Sequence, residues 1–372
     1  MYDCIVVGAG PAGAATAYHL AKLGHSVLIL EKSSWPRYKP CTGAVSPRVA
    51  EYFDFDFSPA IDRRAQRVRY TWKLGDPVEA ELTTEPIWMV RREVFDPFLV
   101  GQAQTQGATL KADTPVTAIT GQADGWQVIT PAGVFEAAYL VAADGATGPM
   151  AKWLGFPDLA LRSASILELP APAPLGNDSP IGFEFGLVKQ GCLWSFPKQG
   201  GYAIGAAAFQ GRTTPDYGLP MAEYSRFLGL DPAQGTVHHH PLKLWDGNYP
   251  LHTHRAVLVG EAAAMVDPLS AEGIRPGLIS GSQAAAAIHA AIQGDPDALA
   301  GYTTAIHESW GADMPWARRI SALFFRLPGL GYRVGIKRPT ATQRLGQILA
   351  GEVQYADIAS RVMKRLSGGL IN

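Results

Sequence analysis

The chain opens with apolar runs of strand length set against helical periodicity. Cys4-Ile5-Val6-Val7 is continuously apolar, as in a strand covered on both faces. It runs into Gly8-Ala9-Gly10-Pro11-Ala12-Gly13, then an Ala-rich helix from Ala14 to Lys22 closed at Gly24. A second strand, Ser26 to Leu30, ends on Glu31. Val45 to Phe53 reads as a helix. From Ala65 to Val90 the period falls to two: Val68, Tyr70 and Trp72 alternate with polar residues, Gly75-Asp76-Pro77 marks a turn, and Val78 to Leu82 returns as a β-hairpin. A helix from Glu93 to Gln106 places Val94, Phe95, Phe98 and Leu99 on one face. Strands at 116–119, 126–130 and 134–141 form a meander. Strands at 166–169, 181–188, 193–196 and 202–209 form a second sheet, expected to be antiparallel, which the hairpin joins. After a short helix at 221–228 come a buried strand, Ala256 to Val259, and a long helix running to Ile292 with Pro276 in its first turn. The chain from His307 onward reads as mostly helical.

Composition narrows the class. The 372 residues suit two intertwined domains, and 47% hydrophobic with 17% charged residues indicates a packed core. A net charge of -1 argues against a nucleic-acid partner and against strongly electrostatic membrane contact. Cys4, Cys41 and Cys192 are too few and too scattered for a disulfide framework or a zinc site, which predicts a reducing, cytoplasmic setting. No signal peptide is read ahead of the first strand, and no apolar run reaches the length of a membrane span. His238, His239 and His240 alternate sides along a strand, so they read as an exposed edge rather than a metal site.

The opening strand, turn, helix and strand make a dinucleotide-binding βαβ unit. Gly8 permits the tight turn, Gly10 lets the backbone approach a pyrophosphate, and Gly13 lets helix pack on strand. The helix start at Pro11-Ala12 offers free N–H groups to phosphate. Glu31 is placed to accept from ribose hydroxyls. The following loop, 32–43, carries Lys32, Trp35, Arg37, Tyr38, Lys39 and Cys41, an unusual density of chemistry for a connection. Asp144-Gly145, at the end of an apolar strand, reads either as a second cofactor turn or as an ordinary strand-end turn.

These segments together resemble the FAD-dependent oxidoreductases of the para-hydroxybenzoate hydroxylase fold, and within them the geranylgeranyl reductase family. The resemblance rests on IVVGAGPAGAATAYHLAKLGHSVLILEK, PRYKPCTG, VAADGATG, LVGEAAAMVDPLSAEGI, GCLWSFPK and the tail GEVQYADIASRVMKRL. It implies an α/β protein. A Rossmann-like FAD-binding domain (1–63, 89–160, 245–306) is interleaved with an antiparallel-sheet substrate domain (64–88, 161–244), and a helical C-terminal region covers 307–372. FAD would be held by Gly8, Gly10, Pro11, Ala12, Gly13, Glu31, Lys32, Arg37, Cys41, Thr42, Gly43, Arg92 (or Arg91), Asp144, Gly145, Gly260, Glu261, Pro268, Gly273 and Ile274, with Arg275 as a further positive charge or a solvent-facing one. A prenyl substrate would meet Cys192, Trp194, Phe196 and Pro197, with Phe183 or Phe185 beside them. Cys41 is the first choice as proton donor or gate, with Tyr38 and Lys39 second. Electrons would come from NAD(P)H or ferredoxin, and peripheral membrane contact would run through residues 323–328. The sequence departs from the family pattern at Glu261 (Asp is usual), at Thr42 (a β-branched residue in a glycine-rich loop) and at Cys192 (Tyr is usual). A flavin monooxygenase and a non-catalytic FAD-binding assembly factor are the competing readings.

Overall fold

The computed structural model describes residues 1–176, 178–211, 215–247 and 249–368. The expected helical tail beyond 368 lies outside the described residues. Three sheets organise the chain. The first centres on Tyr2–Val7, which pairs in parallel with Gly133–Ala142 on one side and Val27–Leu30 on the other. Thr109–Lys111 extends it in parallel at one end, and Ala256–Leu258 at the other, where His252–Thr253 adds an antiparallel edge. Cys4 to Val6 and Val27 to Leu30 are at most 1% exposed, as their unbroken apolar runs require. Helix α1 (Pro11–Lys22) lies against α2 (Arg92–Thr105) and α3 (Ile274–Ile292).

The second sheet has seven strands in the order Thr236–His239, Ala164–Pro170, Gly201–Ala208, Gly191–Lys198, Ile181–Phe185, Arg67–Trp72 and Gly75–Glu81. It is antiparallel except at one junction: Ile181–Phe185 runs parallel to Arg67–Trp72, with Phe183 opposite Tyr70. The hairpin does join this sheet, but its turn falls earlier than the Gly-Asp-Pro signal. Lys73 and Leu74 take left-handed φ of 50° and 59°, and Gly75 already begins the return strand.

The helix expected over Val45–Phe53 is instead a short strand, Ala44–Val45, followed by a 3-10 turn, Pro47–Tyr52. Ser46 caps that turn through Arg48 N–H, and Pro47 starts it. Ala44–Val45, Arg63–Ala65 and Ile87–Met89 make a small third sheet that sequence periodicity did not reveal. Two or three residues per strand are too few to display a period. The C-terminal region is helical: α4 (Trp310–Arg326), α5 (Pro339–Leu349) and α6 (Tyr355–Gly368), with short helical turns between α4 and α5.

Candidate active site

A chain of three connected clefts runs between the two large sheets. The outer cleft is lined by Gly8, Gly10, Glu31, Lys32, Arg37, Tyr38, Asp144 and Gly145. The central cavity shares Gly10, Lys39, Gly145 and His240 with it and adds Pro11, Ala12, Cys41, Thr42, Arg92, Trp194, Gly260, Glu261, Gly273 and Ile274. The inner cavity shares Cys41, Thr42, Trp194, Gly273 and Ile274 with the central one and continues past Gly43, Ile87, Ile181, Phe183, Phe196 and Leu349. Because neighbouring clefts share lining residues, they form one continuous path from the outer cleft to the inner cavity.

The glycine turn is shaped by close approach. A Cβ on Gly13 would stand 2.1 Å from Gly8 O, and one on Gly8 (φ 110°) 2.3 Å from Ala143 O. The first would push α1 off the first strand, and the second would push the turn away from the end of the neighbouring strand at Ala143. Gly10 differs, because the space above it is open and faced by the guanidinium groups of Arg92 and Arg37, 3.7 and 3.9 Å from where its Cβ would lie. Gly10 is also the N-cap of α1, and no side chain caps that helix; Gly273 is the N-cap of α3, likewise without a side-chain cap. Two helix N-termini with unspent N–H donors thus open into one cavity, with two arginines alongside. This donor set fits the pyrophosphate and the electron-rich ring edge of FAD.

The charged wall is a linked network. Arg92 clasps Asp96 with two bonds, Nε to Oδ1 at 2.6 Å and Nη2 to Oδ2 at 2.7 Å, and Asp96 is fully buried. Burial opposes the Arg92 charge, but Asp96 outweighs it and holds the guanidinium above its ordinary value; the Arg92 head also meets the Cys41 side chain. Arg37 bridges Asp96 (2.9 Å) and Glu31 (3.3 Å). Glu31 accepts from Ala9 N–H at 3.0 Å and Ser33 N–H at 3.1 Å, so it ties the glycine turn to the next loop. Of the two arginines named from sequence, Arg92 faces the cavity, whereas Arg91 bonds Asp62 at 2.9 Å.

Glu261 lies in the central cavity with His240 Nε2 at 3.4 Å and Lys39 Nζ at 3.8 Å from its Oε2, while its Oε1 is buried without a partner. Burial pushes its carboxyl up, but the His240 hydrogen bond and the charges of Lys39 and Arg92 prevail and hold it below its ordinary 4.5. Burial pulls the Lys39 ammonium down. The extra methylene of Glu is accommodated by this basic pair, and the free oxygen is an acceptor available to a ligand hydroxyl. His240 therefore corrects the reading of 238–240 as an exposed edge. His238 packs its ring at a tilt against Tyr38 and His239 meets Ser165 at 2.9 Å, so each histidine has its own environment. Among the described residues no cluster could hold a metal ion.

Thr42 proves to be well placed. The tight position is Gly43, at φ 84°, where a Cβ would fall 2.0 Å from Val90 O. Thr42 keeps its β-branch and accepts the Trp194 indole N–H at 2.9 Å, while Lys198 donates to Cys41 O at 2.8 Å. These two bonds tie the cysteine loop to strand Gly191–Lys198. Along that strand the pleat puts Cys192, Trp194 and Phe196 on one face and Leu193 and Ser195 on the other, where Ser195 meets Tyr224 at 3.0 Å.

Not every sequence candidate reaches a cavity. Cys192 is buried among core side chains and Pro197 is off the lining; so is Pro268, buried in the turn before α3. Tyr38 lines the outer cleft with its hydroxyl 3.3 Å from Glu168, away from the cavity that Cys41 lines. Asp144 lines the outer cleft and also accepts from Met150 N–H, at the start of a short helix, at 2.9 Å. Arg275 does neither of the things expected of it: it is folded onto Glu272 at 2.9 Å. Phe183 lines the inner cavity, whereas Phe185 packs on Phe324 and Tyr332. Asp96, His240 and Lys198 were missed. Only Asp96 had a local signal, four residues after Arg92 on a helix.

Residues 1–169 match the FAD binding domain family. The chain is 31% identical over 296 residues to an uncharacterized protein of Methanosarcina barkeri, covering 78% of this chain and 76% of that one. It is 28% identical over 322 residues to a digeranylgeranylglycerophospholipid reductase of Methanothermobacter thermautotrophicus, covering 77% of each. Among solved structures it superposes on a geranylgeranyl bacteriochlorophyll reductase-like protein of Thermoplasma acidophilum (TM-score 0.72, 20% identity, 95% of this chain and 92% of that one). It also superposes on the flavin-dependent brominase Bmp2 (TM-score 0.74, 17% identity, 99% of each), so the fold by itself does not choose a chemistry. Sequence likeness along most of the chain and the shared architecture agree: the chain belongs to the geranylgeranyl reductase family of FAD-dependent oxidoreductases.

Proposed function

We propose that the protein reduces carbon–carbon double bonds in a prenyl chain. The observation that carries this reading is the inner cavity, which opens from the central one at Cys41 and Trp194 and is walled by Ile87, Ile181, Phe183, Phe196 and Leu349. Its apolar wall suits an isoprenoid, which offers no polar handle along its length. Bound FAD, once reduced, would supply a hydride.

The chain's own residues would do the rest. Gly10, the start of α1, Arg37 and Arg92 would hold the pyrophosphate, with Glu31, Lys32, Asp144 and Gly145 at the adenosine end. Glu261 would accept from a ribityl hydroxyl through its free oxygen. The N–H groups of Gly273 and Ile274 would face the ring. The aromatic wall would exclude water and align the alkene. An isolated double bond has no carbonyl to polarise it, so hydride delivery must be matched by one proton to the other carbon. Cys41 would give that proton, a role supported by its half-exposed position where the central and inner cavities meet. NAD(P)H or ferredoxin would be the electron source.

The test is anaerobic. The bound flavin is photoreduced and geranylgeranyl diphosphate is added. Reoxidation with a product heavier by two hydrogens per reduced bond is the expected result. A flavin that reoxidises only when oxygen is admitted, with an oxygenated product, would transfer the assignment to a monooxygenase. Bound flavin that never responds to any prenyl compound would favour a binding role without turnover.

A further inference from the structure

The stretch 314–350 holds seven of the chain's 32 basic residues and none of its 33 acidic ones. The near-zero net charge of the whole chain conceals this local excess. At the end of α4 and in the turns that follow, four aliphatic side chains stand in solvent: Leu323 is 70% exposed, Leu327 54%, Leu330 58% and Val334 49%. They are not the overflow of a poor core. The aromatic residues of the same segment are used internally: Phe325 stacks on Phe209 at 5.1 Å, and Phe324 meets Phe185 edge-on at 5.1 Å. Within the stretch 323–328, expected from sequence to meet a membrane, Leu323 and Leu327 stand in solvent while Phe324 and Phe325 pack inward.

Arg326, Arg333 and Arg338 are interleaved with these leucines, are exposed, and enter no ion pair among the described residues. An occupant of this surface must offer apolar depth and negative charge over the same area, which the boundary between headgroups and acyl chains does. No helix of the described residues is long and apolar enough to cross a membrane, so contact would be at the surface. We propose that the segment 323–338 docks the protein on an anionic lipid bilayer, with Leu323, Leu327, Leu330 and Val334 entering the acyl boundary and the three arginines meeting phosphate headgroups. The next helix, α5, supplies Leu349 to the inner cavity, so the docking segment and the cavity wall are continuous in the chain. The proposal does not rest on the reductase reading.

The experiment is flotation of the full-length flavoprotein with vesicles of phosphatidylcholine alone or of phosphatidylcholine with phosphatidylglycerol. The protein should float with the anionic vesicles and about tenfold less with the neutral ones, and added salt should weaken the association. The double variants L327S/L330S and R326E/R333E should each lose about tenfold or more of the bound fraction, with flavin absorbance and thermal midpoint unchanged. Failure of the wild-type protein to float with anionic vesicles overturns the proposal, as does wild-type flotation by both variants. A leucine variant that floats normally but turns a dimer into a monomer in sedimentation would assign the surface to a second copy of the chain and equally overturn it.

Discussion

At the outer end of the cleft glycine backbone and charged side chains are concentrated; at the inner end aromatic and aliphatic side chains make most of the wall, with Glu272 and Ser270 among the few polar ones. The outer end is assembled from a few short runs of consecutive residues, chiefly Val7 to Gly10, Leu30 to Ser33, Arg37 to Pro40 and Ala143 to Met150. The inner end gathers residues as distant as Ile87 and Leu349. One end is fixed by hydrogen bonds and paired charges that tolerate little change. The other is fixed by packing, which tolerates replacement of shape for shape. A cofactor common to a family and a substrate that varies within it call for these two kinds of wall.

The sharpest way to break the outer end is Gly13→Val. Its Cβ has no room beside Gly8 O, so a loss of more than about 4 kcal/mol of stability is expected, seen as insoluble or flavin-free protein. Arg92→Leu should follow at about 3 kcal/mol, because Asp96 would stay buried with only Arg37 to pair it; thermal unfolding and FAD affinity would both register the change. If Arg92→Leu proved neutral, the charged wall would be less constrained than the aromatic one and the comparison would fail.

At the hinge between the two ends, Thr42→Val keeps the shape and removes the acceptor of the Trp194 indole. A cost of about 1–2 kcal/mol is expected, with a shift in tryptophan fluorescence and a larger effect on substrate KM than on FAD binding. The smallest effect concerns pH. The Glu261 carboxyl is held below its ordinary 4.5, so it adds stability that is complete above that value and lost as pH falls through its lowered folded value. Glu261→Gln should lose that contribution near neutrality, with the slope there unchanged, and flatten the acid side of the stability profile below about pH 4.5. An unaltered acid limb would show that Glu261 is not held by Lys39 and His240.

Local signals were readable where local forces decide. The βαβ unit, the meander and the long helix α3 fall where their periodicity places them. The small third sheet did not, because its strands are held by partners rather than by their own pattern. The hairpin turn was placed at Gly75-Asp76-Pro77, yet Lys73 and Leu74 make it in left-handed conformations, since the neighbouring parallel strand Ile181–Phe185 sets where Trp72 must end. Thr42 looked out of place because a sequence shows a β-branch but not the indole it serves.

The sequence by itself determined the nucleotide-binding turn, the family and the strand parity that puts Trp194 and Phe196 on one face. These depend on contacts within a few residues, and backbone sterics and hydrogen bonding act at that range. Tertiary structure alone decided that His240 and Lys39 would hold Glu261, that Cys192 would be core rather than lining, that Phe324 and Phe325 would turn inward, and that Leu349 would close the inner cavity. Those outcomes depend on which distant surfaces meet. Packing fills space without regard to chain order, so nothing in the local pattern of residues encodes it.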